Sequence, residues 1–220
     1  MTFQLPIKIS HSKLLKTYWE LKRQAYASGG KYDKTVSGTE LFTARKGRWI
    51  FSDEYAGNYF FHGIESLGVN VGRIAEVYKE IPVAGMIYRG EIRKLPTIVK
   101  PDIFPKMTNK QIKKYIFRFL RKALLAAPPE QPFRGPLTRK IEQHGVEDPP
   151  FKHRSFPHLL YRNIPEWKEY WLGEKQMKLP LSIGGTESIT YHQGKSETNL
   201  YIGWWHFGLL LKNLDDIILT

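Results

Sequence analysis

Apolar and polar residues alternate along this chain with two periods, and each period appears twice. Over residues 12–27, Leu14, Leu15, Tyr18, Leu21, Ala25 and Tyr26 recur near the helical period, with Lys13, Lys16, Glu20, Lys22 and Arg23 largely between them. The spacing predicts an amphipathic helix. Ser10 or Ser12 can cap its start, and Gly29-Gly30 offers the left-handed backbone that ends helices. Beyond the glycines the period drops to two, in short runs over 39–42, 49–53, 59–65, near Val69, and 83–88. Gly, Asn and Asp sit between most of these runs, which predicts antiparallel strands joined by turns.

The same succession follows a connector marked by Pro96, Pro101 and Pro105, whose fixed φ suits extended chain. Thr108 opens a second helix, in which Ile112, Ile116, Phe119, Leu120, Ala123 and Leu124 keep the helical spacing. Lys110, Lys113, Lys114, Arg118, Arg121 and Lys122 project elsewhere, and Pro128-Pro129 stops the helix. After Phe133-Arg134-Gly135-Pro136, the polar segment 143–157 with Pro149-Pro150 and Pro157 reads as an extended loop. Period two then returns over 159–162, 170–172, 187–192 and 200–211.

Three anchors in one order suggest an internal repeat. Phe51-Ser52-Asp53 matches Tyr161-Arg162-Asn163, and Gly63-Ile64-Glu65-Ser66 matches Gly185-Thr186-Glu187-Ser188. Residues 84–90, ending Tyr88-Arg89-Gly90, match residues 202–208, ending His206-Phe207-Gly208. The expected fold is therefore α+β, with two duplicated helix-plus-antiparallel-meander halves, packed about a pseudo-twofold axis or joined into one curved sheet. Residues 1–95 form copy one, 96–107 the connector and 108–220 copy two, with one compact domain as the alternative division.

Composition narrows the function classes. In 220 residues, 41% hydrophobic and 14% aromatic content belongs to a folded chain. A net charge of +13 and pI near 9.7 give a positive surface field, so nucleic acid is the first partner to consider. The absence of cysteine excludes disulfides, Cys-ligated zinc, iron–sulfur clusters and thiol catalysis. The N-terminal residues lack a signal-peptide core and no apolar run approaches the roughly 20 residues of a membrane span, so no membrane partner and a cytoplasmic location are expected.

Glu65 and Glu187 are the acids of most interest, because the repeat gives them equivalent places. Two carboxylates near a pseudo-axis can share a proton, hold a divalent ion or act as an acid and base pair; as turn or sheet-edge residues they would bond backbone amides instead. Asp53 and Asn163 form a second matched pair. His62 and His206 are the histidines to watch for acid–base work. The histidines show no metal-binding spacing, and no Walker or Rossmann glycine loop is present, so no metal or cofactor is assigned.

Trp49, Tyr59, Phe60, Phe61, Trp167, Tyr170, Trp171, Trp204 and Trp205 include candidate stacking platforms, flanked by Arg48, Arg89, Arg162 and Lys212. Neighbours on a strand face opposite sides. Phe60-Phe61 and Trp204-Trp205 must therefore each leave one ring exposed, covered by the other half, or in a subunit interface, which leaves a homodimer open.

Several motifs resemble one family. They are residues 22–30, Gly38-Thr39-Glu40-Leu41, residues 47–55, Phe61-His62-Gly63-Ile64-Glu65, Met86-Ile87-Tyr88-Arg89-Gly90, residues 119–124, Pro132-Phe133-Arg134-Gly135-Pro136 and Gly185-Thr186-Glu187. Together, over roughly residues 22–208, they resemble the bacterial and archaeal DUF5680 family, whose members have two similar halves. The resemblance implies no activity. Tyr88-Arg89-Gly90 and His206-Phe207-Gly208 depart from that family's Tyr-Tyr-Gly and Tyr-His-Gly-Gly endings.

The first functional expectation is nucleic-acid binding, by a cationic surface of Arg48, Arg89, Lys110, Lys113, Lys114, Arg118, Arg121 and Lys122 with Trp204 as an exposed aromatic on the sheet. The second is a hydrolase or glycosylase acting on nucleic acid, with Glu65, Glu187, His206 and Asp53 as candidate catalytic groups. A third is a small-molecule sensor with its pocket between the two halves.

Overall fold

Alternation along residues 40–92 and 156–209 builds the long strands of one mostly antiparallel sheet. A computed structural model describes residues 7–27, 31–57, 60–74, 77–93, 104, 107–138, 140–141, 146–167, 171–172, 175–176, 182–194, 196–209 and 217–219. The strands are β1 Ile7–Ile9, β2 Asp33–Lys34, β3 Glu40–Lys46, β4 Trp49–Gly57, β5 Phe60–Ile74, β6 Val77–Ile92, β7 Lys140–Ile141 and β8 Val146–Glu147. They continue as β9 Phe151–His153, β10 Phe156–Trp167, β11 Trp171–Leu172, β12 Lys175–Gln176, β13 Ser182–Gln193, β14 Ser196–Leu209 and β15 Ile217–Leu219. Nine of them form one sheet in the order β2-β3-β4-β5-β6-β14-β13-β10-β9. Its N-terminal and C-terminal strands join where β6 pairs with β14, with Gly90 opposite Gly203 and Tyr88 opposite Trp205. Among the described residues this is an α+β fold.

Helix α1, His11–Lys22, starts at Ser10, whose side chain accepts from the Lys13 amide, and runs into a π-helical turn over Arg23–Ala27. The predicted helix thus changes type rather than continuing as α to residue 27. Helix α2, Asn109–Leu125, opens with a capping box between Thr108 and Gln111, which satisfies two of the amide donors that a helix start leaves free. All six apolar residues that carry its predicted stripe are buried. Full burial of one such large side chain contributes about 1.5–3 kcal/mol, so the stripe holds the helix to the sheet. Trp19 Nε1 donates to the Ala127 carbonyl at 2.6 Å and the Arg23 guanidinium donates to the Leu125 carbonyl, so α1 caps the end of α2.

Both helices cover the same face of the sheet. Tyr18 of α1 packs edge-on against Phe51 and Phe207, and Phe117 of α2 lies 5.3 Å, centroid to centroid, from Phe61. Phe51, Phe61, Leu67, Met86, Ile189, Trp205 and Phe207 belong to the core on this inner face.

Several expected details differ. The segment near Val69 is not a separate strand but the far end of β5, which runs unbroken past Gly68 with a register shift against β6. The 143–157 loop contains β8 and also β9, which forms an edge of the main sheet beside β10. Short pairing segments between prolines carry too few residues to show a period. Of the strand expected at 170–172, Trp171–Leu172 pairs only with β12, in a separate two-stranded sheet. Lys22, assigned by pattern to the solvent face of α1, is 4% exposed. Gly29-Gly30, Tyr59, Tyr170, Lys212 and most of the proline connector lie outside the described residues.

Candidate functional site

Asp53 on β4 stands directly opposite Glu65 on β5, and both are buried on the inner face. Glu65 accepts from the Tyr18 hydroxyl, and its Oε2 lies 3.0 Å from Lys22 Nζ. Tyr18 and Lys22 are four residues apart, so one face of α1 delivers both groups. Asp53 Oδ1 accepts from the Tyr88 hydroxyl at 2.8 Å. To reach it, the Tyr88 ring on β6 leans across Gly63, its register partner on β5. A Cβ on Gly63 would sit 2.2 Å from Tyr88 Oη, so only glycine leaves the ring its path.

The C-terminal strands hold a parallel arrangement. Asn163 on β10 stands opposite Glu187 on β13. Trp205 on β14 leans across Gly185 and donates from Nε1 to Asn163 Oδ1 at 2.8 Å. Glu187 accepts from Tyr161 at 2.7 Å and from Tyr201 at 2.5 Å. Asn163 Nδ2 donates to the carbonyls of Phe133 and Gly135, both at 2.9 Å, which pins the buried 132–135 loop over the sheet.

Arg134, at the tip of that loop, links the two carboxylates. Its Nε lies 3.0 Å from Glu187 Oε1, its Nη1 3.8 Å from Glu65 Oε1, and its guanidinium 4.4 Å from the centre of the Tyr88 ring. The residue has φ +62°, in the left-handed region that costs a non-glycine residue roughly 1 kcal/mol or more. The contacts to Glu187 and Tyr88 hold it there.

The electrostatics follow from burial. Burial opposes the charged form of Arg134, but Glu187 leads the groups that outweigh it, so the guanidinium stays charged. Burial lowers the pKa of Lys22 against the pull of Glu65. Burial, then the facing Glu carboxylates, raises the hydroxyls of Tyr18, Tyr161 and Tyr201 well above 10, so they stay donors. Two cations thus face two glutamates, and Asp53 is a third acid. Burial and then Glu65 push it up to about 7.

The other face of the sheet carries no helix among the described residues. His62, Arg89, Trp204 and Thr186 form one cross-strand row over β5, β6, β14 and β13. The Arg89 guanidinium lies 5.7 Å from the centre of the Trp204 ring. Phe60, Ile64, Ile87 and Ile202 are exposed around this row, Phe60 at 72%. A hollow of about 790 Å³ opens here, lined by residues that include Phe60, His62, Arg89, Arg93 and Trp204, with Glu91 as its acid. The neighbouring aromatics divide as strand geometry requires: Phe61 and Trp205 point into the core, Phe60 and Trp204 out of it.

The structure therefore gathers Asp53, Glu65 and Glu187 on the inner face and leaves His206 apart. His206 lies between buried Trp205 and Phe207 on β14 and points to the outer face, 6.0 Å from Trp204 between ring centres. Arg89 and Trp204 meet, while Arg48 lies by the β3–β4 turn. Lys110, Lys114, Arg118 and Lys122 are exposed at four-residue intervals along α2, on the opposite side of the sheet from Trp204. Lys113 and Arg121 are half-buried, Lys113 against the Phe117 ring.

Pattern reading missed Tyr18, Lys22, Tyr88, Arg134, Tyr161 and Tyr201. A lysine four residues after a core tyrosine was the available signal for Lys22. Nothing local marks Arg134, whose carboxylate partner lies 53 residues away. Among the described residues, no group of three or more His, Asp and Glu stands ready to hold a metal ion, and no helix is long and apolar enough to cross a membrane. No protein-family profile, curated protein or solved structure matches this chain.

Proposed function

We propose that this protein binds single-stranded nucleic acid on the outer face of its sheet. The observation that carries the reading is the Arg89–Trp204 pair, on neighbouring strands and facing the hollow beside exposed Phe60. Exposed rings beside guanidinium groups can stack successive bases while the cations meet phosphates, and a sheet presents them at regular intervals. A net charge of +13 favours the encounter. The cationic ridge of α2 lies on the opposite side, so in this reading it adds to the general attraction and does not share the sheet contact.

The buried carboxylates support a structural part rather than acid–base catalysis. Glu65 and Glu187 are 1% and 2% exposed and are occupied by Tyr, Lys and Arg partners, so a substrate has no route to them without displacing the helices or the 132–135 loop. The matched Asp53–Gly63–Tyr88 and Asn163–Gly185–Trp205 sets favour a duplicated origin for the two halves. The hollow spans the β6–β14 junction, and its volume also suits a small organic ligand, which is the second reading.

Fluorescence anisotropy with a labelled single-stranded oligonucleotide tests the first. Binding should weaken steeply with salt, and Arg89→Ala and Trp204→Ala should each weaken it about tenfold. No binding at low salt would overturn the proposal, and so would a loss confined to variants of the α2 cations.

A further inference from the structure

A second hollow, of about 570 Å³, lies away from the outer sheet face, between α1 and the β3–β4 hairpin. Its construction can be followed from the sequence. Lys13, Lys16, Thr17 and Glu20 occupy one stripe of α1 at three- and four-residue spacing, beside the stripe that packs on the sheet. Gly47, at φ +58°, turns the hairpin so that Lys46, Arg48 and Trp49 face that stripe. Glu20 and Lys46 join at 2.6 Å, which ties the helix to the hairpin across the opening. Ile9 and Val69 lie beneath, 3% and 2% exposed, and Trp49 is half-buried opposite Val69 in the β4–β5 register.

The lining thus combines two chemistries. The floor is apolar and includes the Trp49 side chain. Among the described lining residues, the rim carries four cations, Lys13, Lys16, Lys46 and Arg48, and one acid, Glu20, which is joined to Lys46. Lys13 and Lys16 are exposed on the rim. A ligand that satisfies both parts has a planar apolar ring and an anionic group a few bonds away. The volume suits a mononucleotide-sized molecule. We infer that this hollow binds a nucleoside phosphate, with the base against Trp49, Ile9 and Val69 and the phosphate at Lys13 and Lys16. The inference is independent of the outer-face reading and uses none of its residues.

Isothermal titration of the full chain with the four ribonucleoside 5′-monophosphates, the matching nucleosides and inorganic phosphate tests it. At least one monophosphate should bind saturably with a stoichiometry of one, about tenfold or more tighter than its nucleoside or phosphate alone, because each satisfies half of the site. Lys13→Ala/Lys16→Ala should weaken that binding about tenfold or more while leaving the melting temperature of the free protein within a few degrees. Absence of saturable binding would overturn the inference. So would unchanged affinity in the double variant, or phosphate binding as tightly as the nucleotide. Should the double variant fold poorly, raising salt from 50 to 300 mM must itself weaken nucleotide binding to the native chain and leave nucleoside binding unaltered.

Discussion

The Tyr88 hydroxyl donates to Asp53 at 2.8 Å from the far side of the strand that carries Gly63. Burial and then Glu65 push the Asp53 carboxyl up to about 7, whereas an unfolded chain holds it near 3.9. A carboxyl raised in the folded state binds its proton more tightly there. Its contribution to stability is complete below roughly pH 4 and is lost as pH rises through about 7. Asp53→Asn, which copies the amide that the C-terminal strands already use, should remove this loss. Urea unfolding at pH 5, 6, 7 and 8 should show the variant gaining on the native chain as pH rises. Parallel stability curves would refute the assignment.

Arg134 joins Glu187 in a setting where neither charge meets water. Removing one member strands the other, which costs about 3–5 kcal/mol. Glu187→Gln and Arg134→Ala should both fall in that range by urea unfolding. Because Arg134 has φ +62°, Arg134→Gly should unfold later than Arg134→Ala, by about 1 kcal/mol.

Gly184 and Gly185 are neighbours with opposite tolerance. A Cβ at Gly184 meets its nearest atoms at 3.4 Å, whereas one at Gly185 meets the Trp205 ring and the Ile164 carbonyl at 2.7 Å. Gly184→Ala should change stability by less than about 1 kcal/mol. Gly185→Ala should cost about 1–3 kcal/mol and disturb Trp205 fluorescence. Equal effects would contradict the inner-face packing.

Trp204 and Trp205 separate binding from folding. Trp205→Ala empties a fully buried site and should cost about 3–5 kcal/mol. Trp204→Ala should leave stability within about 1 kcal/mol, forfeiting its contact with Arg89, while weakening oligonucleotide binding. Calorimetry and anisotropy on the two variants check the division.

The sequence made the strands and helices legible where one face is apolar. Leu14, Tyr18 and Leu21 mark α1, the α2 stripe is complete, and the alternation around Phe51 and Asp53 marks β4. Asp53, Glu65 and Glu187 stood out by their matched positions. What those acids touch was not legible, because the partners come from a helix, a loop and a third strand that only the fold brings together. Lys22 is the sharpest case. A lysine reads as solvated unless a buried carboxylate is known to await it, and Glu65 lies 43 residues further on. The length of β5 escaped for a different reason, since Gly68 interrupts the pattern without ending the strand.

Pairing of β6 with β14 has a consequence for synthesis. The nearest partners in that register, Ile92 and Tyr201, are separated by more than a hundred residues of chain. At roughly 5–20 residues per second, a ribosome needs about 5–20 s to deliver the second strand after the first. Through that interval the emerging polypeptide presents a long strand with one side unmatched, and for the first part of it the Asp53–Glu65 pair also waits for Arg134. Nascent chains should therefore engage holding chaperones during translation of residues 93–200, and let go of them as the last long strand emerges.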